Sequence, residues 1–217
     1  MFTGIVQEIG VIKQISYGSS SMRLIIESQK IIIGMSLGDS ISVNGTCLTV
    51  THFTKNTFSV DIMPETFNTT SLKYCKEQSL VNLEPALTIN TKLGGHFVSG
   101  HVDGVGVIIR KKPQENAIYY DIKLQDIKML KYCIHHGSIA IDGVSLTIFE
   151  LTHDTFTISL IPHTAKNTVL GFKDIGDIVN LEYDMLAKFT SRLLEFKSDS
   201  IPESKLNSSF LQQHGFI

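Results

Sequence analysis

Two short stretches of the chain share one pattern but differ in their most reactive side chain. VNGTCLTV contains Cys47, and IDGVSLTI has Ser145 at the matching position. Because side chains alternate along a strand, Cys47 and Thr49 share one face, as do Ser145 and Thr147. Each pair follows an Asn-Gly or Asp-Gly turn at a predicted barrel rim, where binding sites are common. A thiol or hydroxyl there could act on a ligand, or simply fill the barrel interior.

A second pair of equivalent positions carries polar side chains. Glu65 in PETFN and His163 in PHTAK follow a Pro, and each is followed by a threonine, Thr66 or Thr164. A polar residue after an apolar strand can present side-chain and backbone groups to a ligand. A plain surface turn is the alternative.

The stretch GGHFVSGHVDG, residues 94–104, contains four glycines and two histidines. His96 and His101 are five residues apart, so on an unbroken strand they point to opposite faces, and we expect no metal site. The glycines either allow a flat ligand to approach the backbone closely or mark bulges.

Several function classes lack support in the sequence. There is no G-x-S-x-G elbow of a serine hydrolase, no P-loop and no dinucleotide fingerprint ahead of a helix. The net charge is −2 and neither half has a basic run, so we expect no nucleic-acid or anionic-membrane partner.

The compartment follows from the cysteines and the N-terminus. MFTGIVQEIG does not have the layout of a signal peptide, and no apolar run is long enough to span a membrane. The three cysteines are odd in number and widely spaced, without a C-x-x-C pair. We therefore expect a cytoplasmic protein without structural disulfides or zinc.

The elements that position these residues occur twice. Residues 38–84 align with 136–182 without a gap at an offset of 98, and residues 4–12 align with 100–108 at an offset of 96. Each copy consists of short, β-branched, alternating segments separated by Gly or Asn. Many short strands favour a closed barrel, so we predict an all-β fold of two six-stranded or similar barrels in tandem.

The C-terminal part departs from this pattern. YDMLAKFTSRLLEF, residues 183–196, has apolar residues at helical spacing and predicts an amphipathic helix. Its apolar stripe either packs on its own subunit or forms an oligomer contact. Residues 197–217 are Ser-rich and polar, which predicts a loose tail. We predict domain boundaries of 1–88, 89–184 and 185–217, the last range holding the helix and the tail.

These motifs together resemble the riboflavin synthase α-chain family. The resemblance rests on MFTGIV, VNGTCLTVT, GGHFVSGHVDG, IDGVSLTI and the paired NLE segments, and covers about residues 1–196. It implies two Greek-key barrels, a C-terminal helix that assembles a homotrimer, and a role in riboflavin biosynthesis. The implied reaction is a dismutation in which four carbons pass between two molecules of 6,7-dimethyl-8-ribityllumazine. It implies no cofactor and no metal, and an association with lumazine synthase is possible.

The resemblance also implies site residues and an origin for the Cys/Ser difference. Two barrels provide two pockets, and unequal side chains allow one lumazine to donate and the other to accept. The implied catalytic residues are Cys47, His101 and Ser145, with Phe2 and Thr3 reaching into the site. The implied N-barrel pocket consists of Gly4, Val6, Cys47, Thr49, Glu65 and Thr66. The implied C-barrel pocket consists of Gly100, Val102, Ser145, Thr147, His163 and Thr164.

Two other functions fit the same fold. A non-catalytic fluorescent accessory protein would bind a lumazine or flavin in one pocket, and such proteins usually lose site residues in one repeat. Here both repeats keep their Thr pair and their Gly-x-Val pair, which favours the enzyme. A generic barrel module for a small acidic or sugar ligand gives no reason for two pockets.

Overall fold

The first half of the chain forms one closed antiparallel barrel. The computed structural model describes residues 1–18, 21–199 and 208–216. The six strands of the first barrel are β1 Glu8–Tyr17, β2 Met22–Glu27, β3 Ser40–Val43, β4 Thr46–Phe53, β5 Thr57–Ile62 and β6 Leu80–Pro85. They close in the order β1-β2-β5-β4-β3-β6, a Greek-key arrangement without a free edge.

The second half repeats this architecture. Its strands are β7 Gly104–Gln114, β8 Ala117–Leu124, β9 Ser138–Ile141, β10 Val144–Leu151, β11 Thr155–Leu160 and β12 Ile178–Tyr183. They close in the equivalent order β7-β8-β11-β10-β9-β12. The predicted tandem of six-stranded barrels is thus confirmed. The strands on either side of Lys55-Asn56 and of His153-Asp154 pair as β4-β5 and β10-β11.

Each barrel has its own apolar core. In the first barrel, alternate residues of β4 and β5 point inward, and Val50, Phe58 and Val60 are each at most 1% exposed. Phe156 and Ile158 of β11 occupy the matching place in the second barrel. Buried apolar side chains therefore fill the inside of each barrel, and the side chains that alternate with them face outward.

The two barrels are joined by a buried exchange of hydrogen bonds around a pseudo-twofold axis. Asn82 of β6 donates from Nδ2 to the Asp142 carbonyl oxygen (2.9 Å) and accepts the Val169 N–H at Oδ1 (2.8 Å). Asn180 of β12 does the same in reverse, donating to the Asn44 carbonyl oxygen (2.7 Å) and accepting the Ser71 N–H (2.6 Å). Each barrel therefore completes the hydrogen bonding of the other.

The helices are short except for one. The helices α1 Pro64–Thr69 and α2 Pro162–Asn167 start at the prolines of PETFN and PHTAK, because proline suits the first position of a helix. The helix α3 runs from Met185 to Asp199, two residues later at its start than the sequence predicted and three further at its end. Within the part of the chain that the structure describes, no helix is long and apolar enough to cross a membrane.

The predicted loose tail is partly wrong. Residues 208–213 of that segment form a fourth helix, α4 Ser208–Gln213, whose sequence SSFLQQ contains no glycine or proline. The part from 200 to 207 lies outside the described residues. Residues 197–199, Lys-Ser-Asp, belong to α3, so the helix extends past the last apolar position of the predicted stretch.

Candidate active site

The reactive pair of each barrel lies on the outer face of a strand. On β4 the inward side chains are Leu48 and Val50, which are 5% and 1% exposed, whereas Cys47 is half-buried and Thr49 is exposed. The alternative that Cys47 fills the barrel interior is therefore wrong. On β10 Ser145 is likewise half-buried and Thr147 exposed, so both pairs are available to a ligand outside their barrels.

Tight turns place these pairs at the barrel rim. Asn44 and Gly45 both have positive φ, 47° and 82°, and Asp142 and Gly143 repeat this with 45° and 78°. Two successive left-handed residues define the two-residue hairpin turn that Asn-Gly and Asp-Gly favour. Cβ atoms built on Gly45 and Gly143 would each lie under 3 Å from the other glycine's backbone nitrogen. The two rims therefore meet at the pseudo-twofold axis.

We call the residues just before β1 and just before β7 the lead segments, and each of them contacts the barrel of the other half of the chain. Ser145 donates its backbone N–H to the Gly4 carbonyl oxygen (2.7 Å), and Cys47 donates its own to the Gly100 carbonyl oxygen (2.8 Å). Val6 packs against the core of the second barrel. The predicted grouping of Gly4 and Val6 with Cys47 and of Gly100 with Ser145 is therefore wrong. The sequence alignment matched repeats, but it could not show that each lead segment crosses the axis.

Close approach requires glycine at both crossings. A Cβ on Gly4 would lie 2.6 Å from Ser145 Cβ, and one on Gly100 would lie 2.5 Å from Cys47 Cβ. Both glycines also have positive φ, 75° and 84°. The glycines thus bring backbone directly over Cys47 and Ser145, where a larger residue would displace the strand.

Two buried carboxylates hold the lead segments. Glu84 at the end of β6 accepts the backbone N–H and the hydroxyl of Thr3, both at 2.7 Å, and the N–H of Gly4 at 3.1 Å. Glu182 of β12 accepts the same set from Ser99 and Gly100. Burial raises the pKa of Glu84, and the bonds from Thr3 and Gly4 oppose this effect. Sequence reasoning did not assign these residues, although their identity in both NLE segments was the available signal.

The predicted N-terminal residues lie in the seam between the barrels. Phe2 is fully buried, forms an antiparallel bridge with Val98 and packs against Ala140 and Cys47. Thr3 is 3% exposed and held by Glu84, as described above. The N-terminal segment therefore joins the second lead segment and both barrels, which explains why residues so early in the chain belong near the site.

The short helices begin beside the reactive pairs. Thr49 pairs with Asp61, so the same antiparallel register places Met63, the residue before α1, opposite Cys47. The register of Ile148 with Ile158 likewise places Ile161, the residue before α2, opposite Ser145. Met63 and Ile161 are 67% and 58% exposed. These apolar side chains could support a flat ring, and sequence reasoning missed them.

The polar residues of α1 and α2 lie just beyond these positions. Glu65 and His163 are exposed, and Thr66 and Thr164 are half-buried. The carbonyl oxygens of Thr66 and Thr164 each accept a hydroxyl from the threonine four residues later at 2.8 Å, so both helices end alike. At this position the two repeats thus differ in chemistry, since Glu65 carries a carboxylate and His163 an imidazole.

The two histidines of the Gly-rich stretch have different surroundings. His101 is exposed, with its backbone N–H donating to Ser99 Oγ (3.2 Å), and the adjacent Val102 is half-buried. His96 is buried, and its Nδ1 lies 2.7 Å from Ser145 Oγ. Burial lowers the pKa of His96, and the charge of Asp184 opposes this effect. In the sequence, His96 was assessed only as a metal ligand, and its contact with Ser145 was not predicted.

Metal-ligating side chains do not gather at this site. Among residues 1–18, 21–199 and 208–216, no group of three or more His, Cys, Asp or Glu is close enough to hold a metal ion. Cys47, Cys75 and Cys133 are free thiols. Burial raises the pKa of Cys75 to about 11 and that of Cys133 to about 12, so neither is a ready nucleophile at neutral pH.

Comparison with known proteins assigns the family. A family described as a lumazine binding domain matches residues 3–86 and again residues 99–184. Riboflavin synthase of Bacillus subtilis (strain 168) is 50% identical over 216 residues, covering both chains completely. That of Schizosaccharomyces pombe is 43% identical over 196 residues, covering 90% of this chain and 94% of the relative. The chain therefore belongs to the riboflavin synthase family of lumazine-binding proteins.

Solved structures with the same fold carry ligands. The crystal structure of LumP complexed with riboflavin has a TM-score of 0.78 and 30% sequence identity, covering 84% of this chain and 99% of LumP. LumP complexed with 6,7-dimethyl-8-(1'-D-ribityl) lumazine gives a TM-score of 0.76 at 29% identity. The fold shared with these proteins is the pair of barrels described above.

Proposed function

We propose that this chain is a riboflavin synthase. Two molecules of 6,7-dimethyl-8-ribityllumazine react, and four carbons pass from one to the other. The products are riboflavin and 5-amino-6-ribitylamino-2,4(1H,3H)-pyrimidinedione. Because what one molecule loses the other gains, the reaction balances without an external oxidant or reductant.

One observation carries this proposal. The chain has two copies of one outward-facing rim site, each crossed by a lead segment from the other half, and the copies differ in Cys47 against Ser145. Two copies of a site suit two copies of a substrate, and different side chains suit unequal roles. The full-length identity of 50% to a synthase supports the same activity.

The residues divide into reactive, acid–base and supporting groups. We assign Cys47 and Ser145 to supplying or positioning the nucleophile that adds to a lumazine ring. We assign to His101 the proton transfers at the acidic methyl group of one lumazine, because its imidazole is exposed and an imidazole can both accept and donate a proton. We assign the remaining predicted positions to binding the rings and ribityl chains, with Phe2 and Thr3 supporting the site from within the buried seam. These positions are Phe2, Thr3, Gly4, Val6, Thr49, Glu65, Thr66, Gly100, Val102, Thr147, His163 and Thr164.

The assembly that we propose is a homotrimer in which one subunit's first barrel faces a neighbour's second barrel. The apolar side chains Leu186, Phe189 and Leu193 of α3 are 50–67% exposed, which supports a contact with another chain rather than with the helix's own barrel. The helix is held in place by Lys188, whose Nζ lies 2.8 Å from Asp103 Oδ2. Facing pockets would hold two lumazines together and make their reaction effectively unimolecular.

A cytoplasmic location belongs to the same proposal. The three thiols are unpaired, as expected of a protein in a reducing compartment.

The test is a direct assay of the purified protein. It is incubated anaerobically with 6,7-dimethyl-8-ribityllumazine and no added cofactor, and riboflavin is followed by absorbance and chromatography. We expect one riboflavin for every two lumazines consumed. Riboflavin formed in any other ratio, or only after addition of a cofactor, would contradict the dismutation.

The second candidate is a non-catalytic lumazine- or flavin-binding accessory protein. The similarity to LumP, a protein solved with lumazine and with riboflavin, favours it. The same assay separates the two functions, because tight lumazine binding without turnover identifies the accessory protein.

A further inference from the structure

Ser145 has a buried histidine partner. His96 lies in the connection between β6 and β7, is 9% exposed, and has Nδ1 2.7 Å from Ser145 Oγ. Its backbone N–H donates to the Thr3 carbonyl oxygen (3.2 Å). A Cβ on the neighbouring Gly95 would lie 2.7 Å from Ser145 Cβ, so the chain passes directly over the serine. The backbone hydrogen bond to Thr3 and the side-chain contact with Ser145 together fix the position of the His96 imidazole.

Among the described residues, the side chain of Cys47 has no partner equivalent to His96. The backbone contacts of the two positions match, since Cys47 and Ser145 each donate an N–H to a lead-segment carbonyl oxygen. Within the described residues, only Ser145 of the pair has a side-chain hydrogen bond, the one to His96. His96, which lies in the connection between β6 and β7, therefore makes the surroundings of Ser145 and Cys47 different.

The protonation of His96 suits a hydrogen-bond acceptor. Burial lowers the pKa of His96, and the negative charge of Asp184 opposes this by raising it. A neutral imidazole has one acceptor nitrogen. When that nitrogen is Nδ1, it can accept a hydrogen bond from the Ser145 hydroxyl. The other nitrogen, Nε2, is buried without a hydrogen-bond partner among the described residues. Unsatisfied buried groups are uncommon and occur often at functional sites.

We propose that His96 is a positioning residue for the four-carbon transfer. It accepts the Ser145 hydroxyl hydrogen at Nδ1 and directs the Oγ lone pairs toward the lumazine bound against the second barrel. The second barrel then holds the lumazine that meets an oriented oxygen, and the first barrel, with the unassisted Cys47, holds the other. This inference rests on the proposed function and assigns unequal roles to its two pockets.

Two amide substitutions of His96 distinguish a positioning role from a purely structural one. His96→Asn places an amide atom near the position of Nδ1, whereas His96→Gln places it near that of Nε2. We expect kcat of the Asn variant to stay within about threefold of the parent. We expect kcat of the Gln variant to fall at least about tenfold, about 1.4 kcal/mol in transition-state free energy, with KM little changed. His153→Gln, at a histidine whose side chain is 88% exposed, is the matched control and should behave as the parent.

A double variant tests whether the two residues act as a unit. Ser145→Ala should lower kcat, and adding His96→Gln should lower it no further, because the histidine acts through the serine. Equal kcat for the Asn and Gln variants, or losses that multiply in the double variant, would overturn the role of His96. Failure of the unsubstituted protein to form riboflavin would instead overturn the proposed function, so the two failures are distinguishable.

Discussion

Replacing Asn82 by alanine tests whether the crossed asparagines hold the barrels together. Asn82 is 1% exposed, and its amide makes two hydrogen bonds to the other barrel. Its Nδ2 donates to the Asp142 carbonyl oxygen, and its Oδ1 accepts the Val169 N–H. The Asn82→Ala variant leaves both of these buried main-chain groups without a partner.

The magnitude follows from those two groups. An unsatisfied buried donor or acceptor costs about 1–3 kcal/mol, so two of them predict a loss of about 2–6 kcal/mol in the free energy of unfolding. Domains of this size shift their Tm by roughly 2–4 °C per kcal/mol, which predicts a fall of roughly 4–24 °C. Because Asn180 makes the same contacts in reverse, Asn180→Ala should cost a similar amount.

The assay is equilibrium urea unfolding at one fixed protein concentration, with thermal unfolding as a second measurement. Asn90→Ala is the matched control, since Asn90 is an exposed residue in the connection between the barrels. It should change the free energy of unfolding by less than about 0.5 kcal/mol. A loss under about 1 kcal/mol for Asn82→Ala would refute the reasoning, because the cross-barrel bonds would then be replaceable by solvent.

Three further predictions concern backbone, charge and pH. Gly100→Ala should destabilise the protein by about 1–3 kcal/mol more than Gly34→Ala, because both glycines have φ of +84° but only Gly100 has neighbours within 4 Å; equal losses in thermal unfolding would contradict this. Lys173→Met should cost about 3–5 kcal/mol by leaving the buried Asp142 carboxylate, 3.3 Å from its Nζ, unpaired. Adding Asp142→Asn should restore part of that loss in urea unfolding, and a further loss would argue against a charge effect. Burial lowers the pKa of His96, so the unfolded chain binds that proton more tightly and stability should decline as pH falls below about 6.5, with a slope of at most about 1.4 kcal/mol per pH unit. The measurement is urea unfolding from pH 8 to 5, and His96→Asn should show a shallower decline.

The barrels were predictable because their signals are local. Alternating β-branched residues around Asn44-Gly45 and Asp142-Gly143 specify hairpins, and the blocks aligned at offsets of 98 and 96 specify two copies. The outward position of Cys47 follows from strand alternation once the inward side is known. The domain boundaries 1–88, 89–184 and 185–217 stay a prediction.

The arrangement of the site depended on contacts distant in sequence. The position of Gly4 beside Ser145 arises from a crossing between halves, which an alignment of repeats cannot contain. His96 lies outside the aligned blocks, 4–12 with 100–108 and 38–84 with 136–182, so its contact with Ser145 had no repeat pattern to reveal it. The exposure of Met63 depends on where the barrel rim ends, which is a property of packing rather than of residue type.

The connection from Pro85 at the end of β6 to Gly104 at the start of β7 makes the contact between the barrels intramolecular. Two domains joined by a short tether meet at an effective concentration in the millimolar range, whatever the amount of protein present. The exchanged lead segments therefore stay in place at any dilution of the enzyme. In the proposed homotrimer, contacts made through α3 would have no such tether. Dilution is then expected to separate the subunits of that trimer while each subunit keeps both of its rim sites.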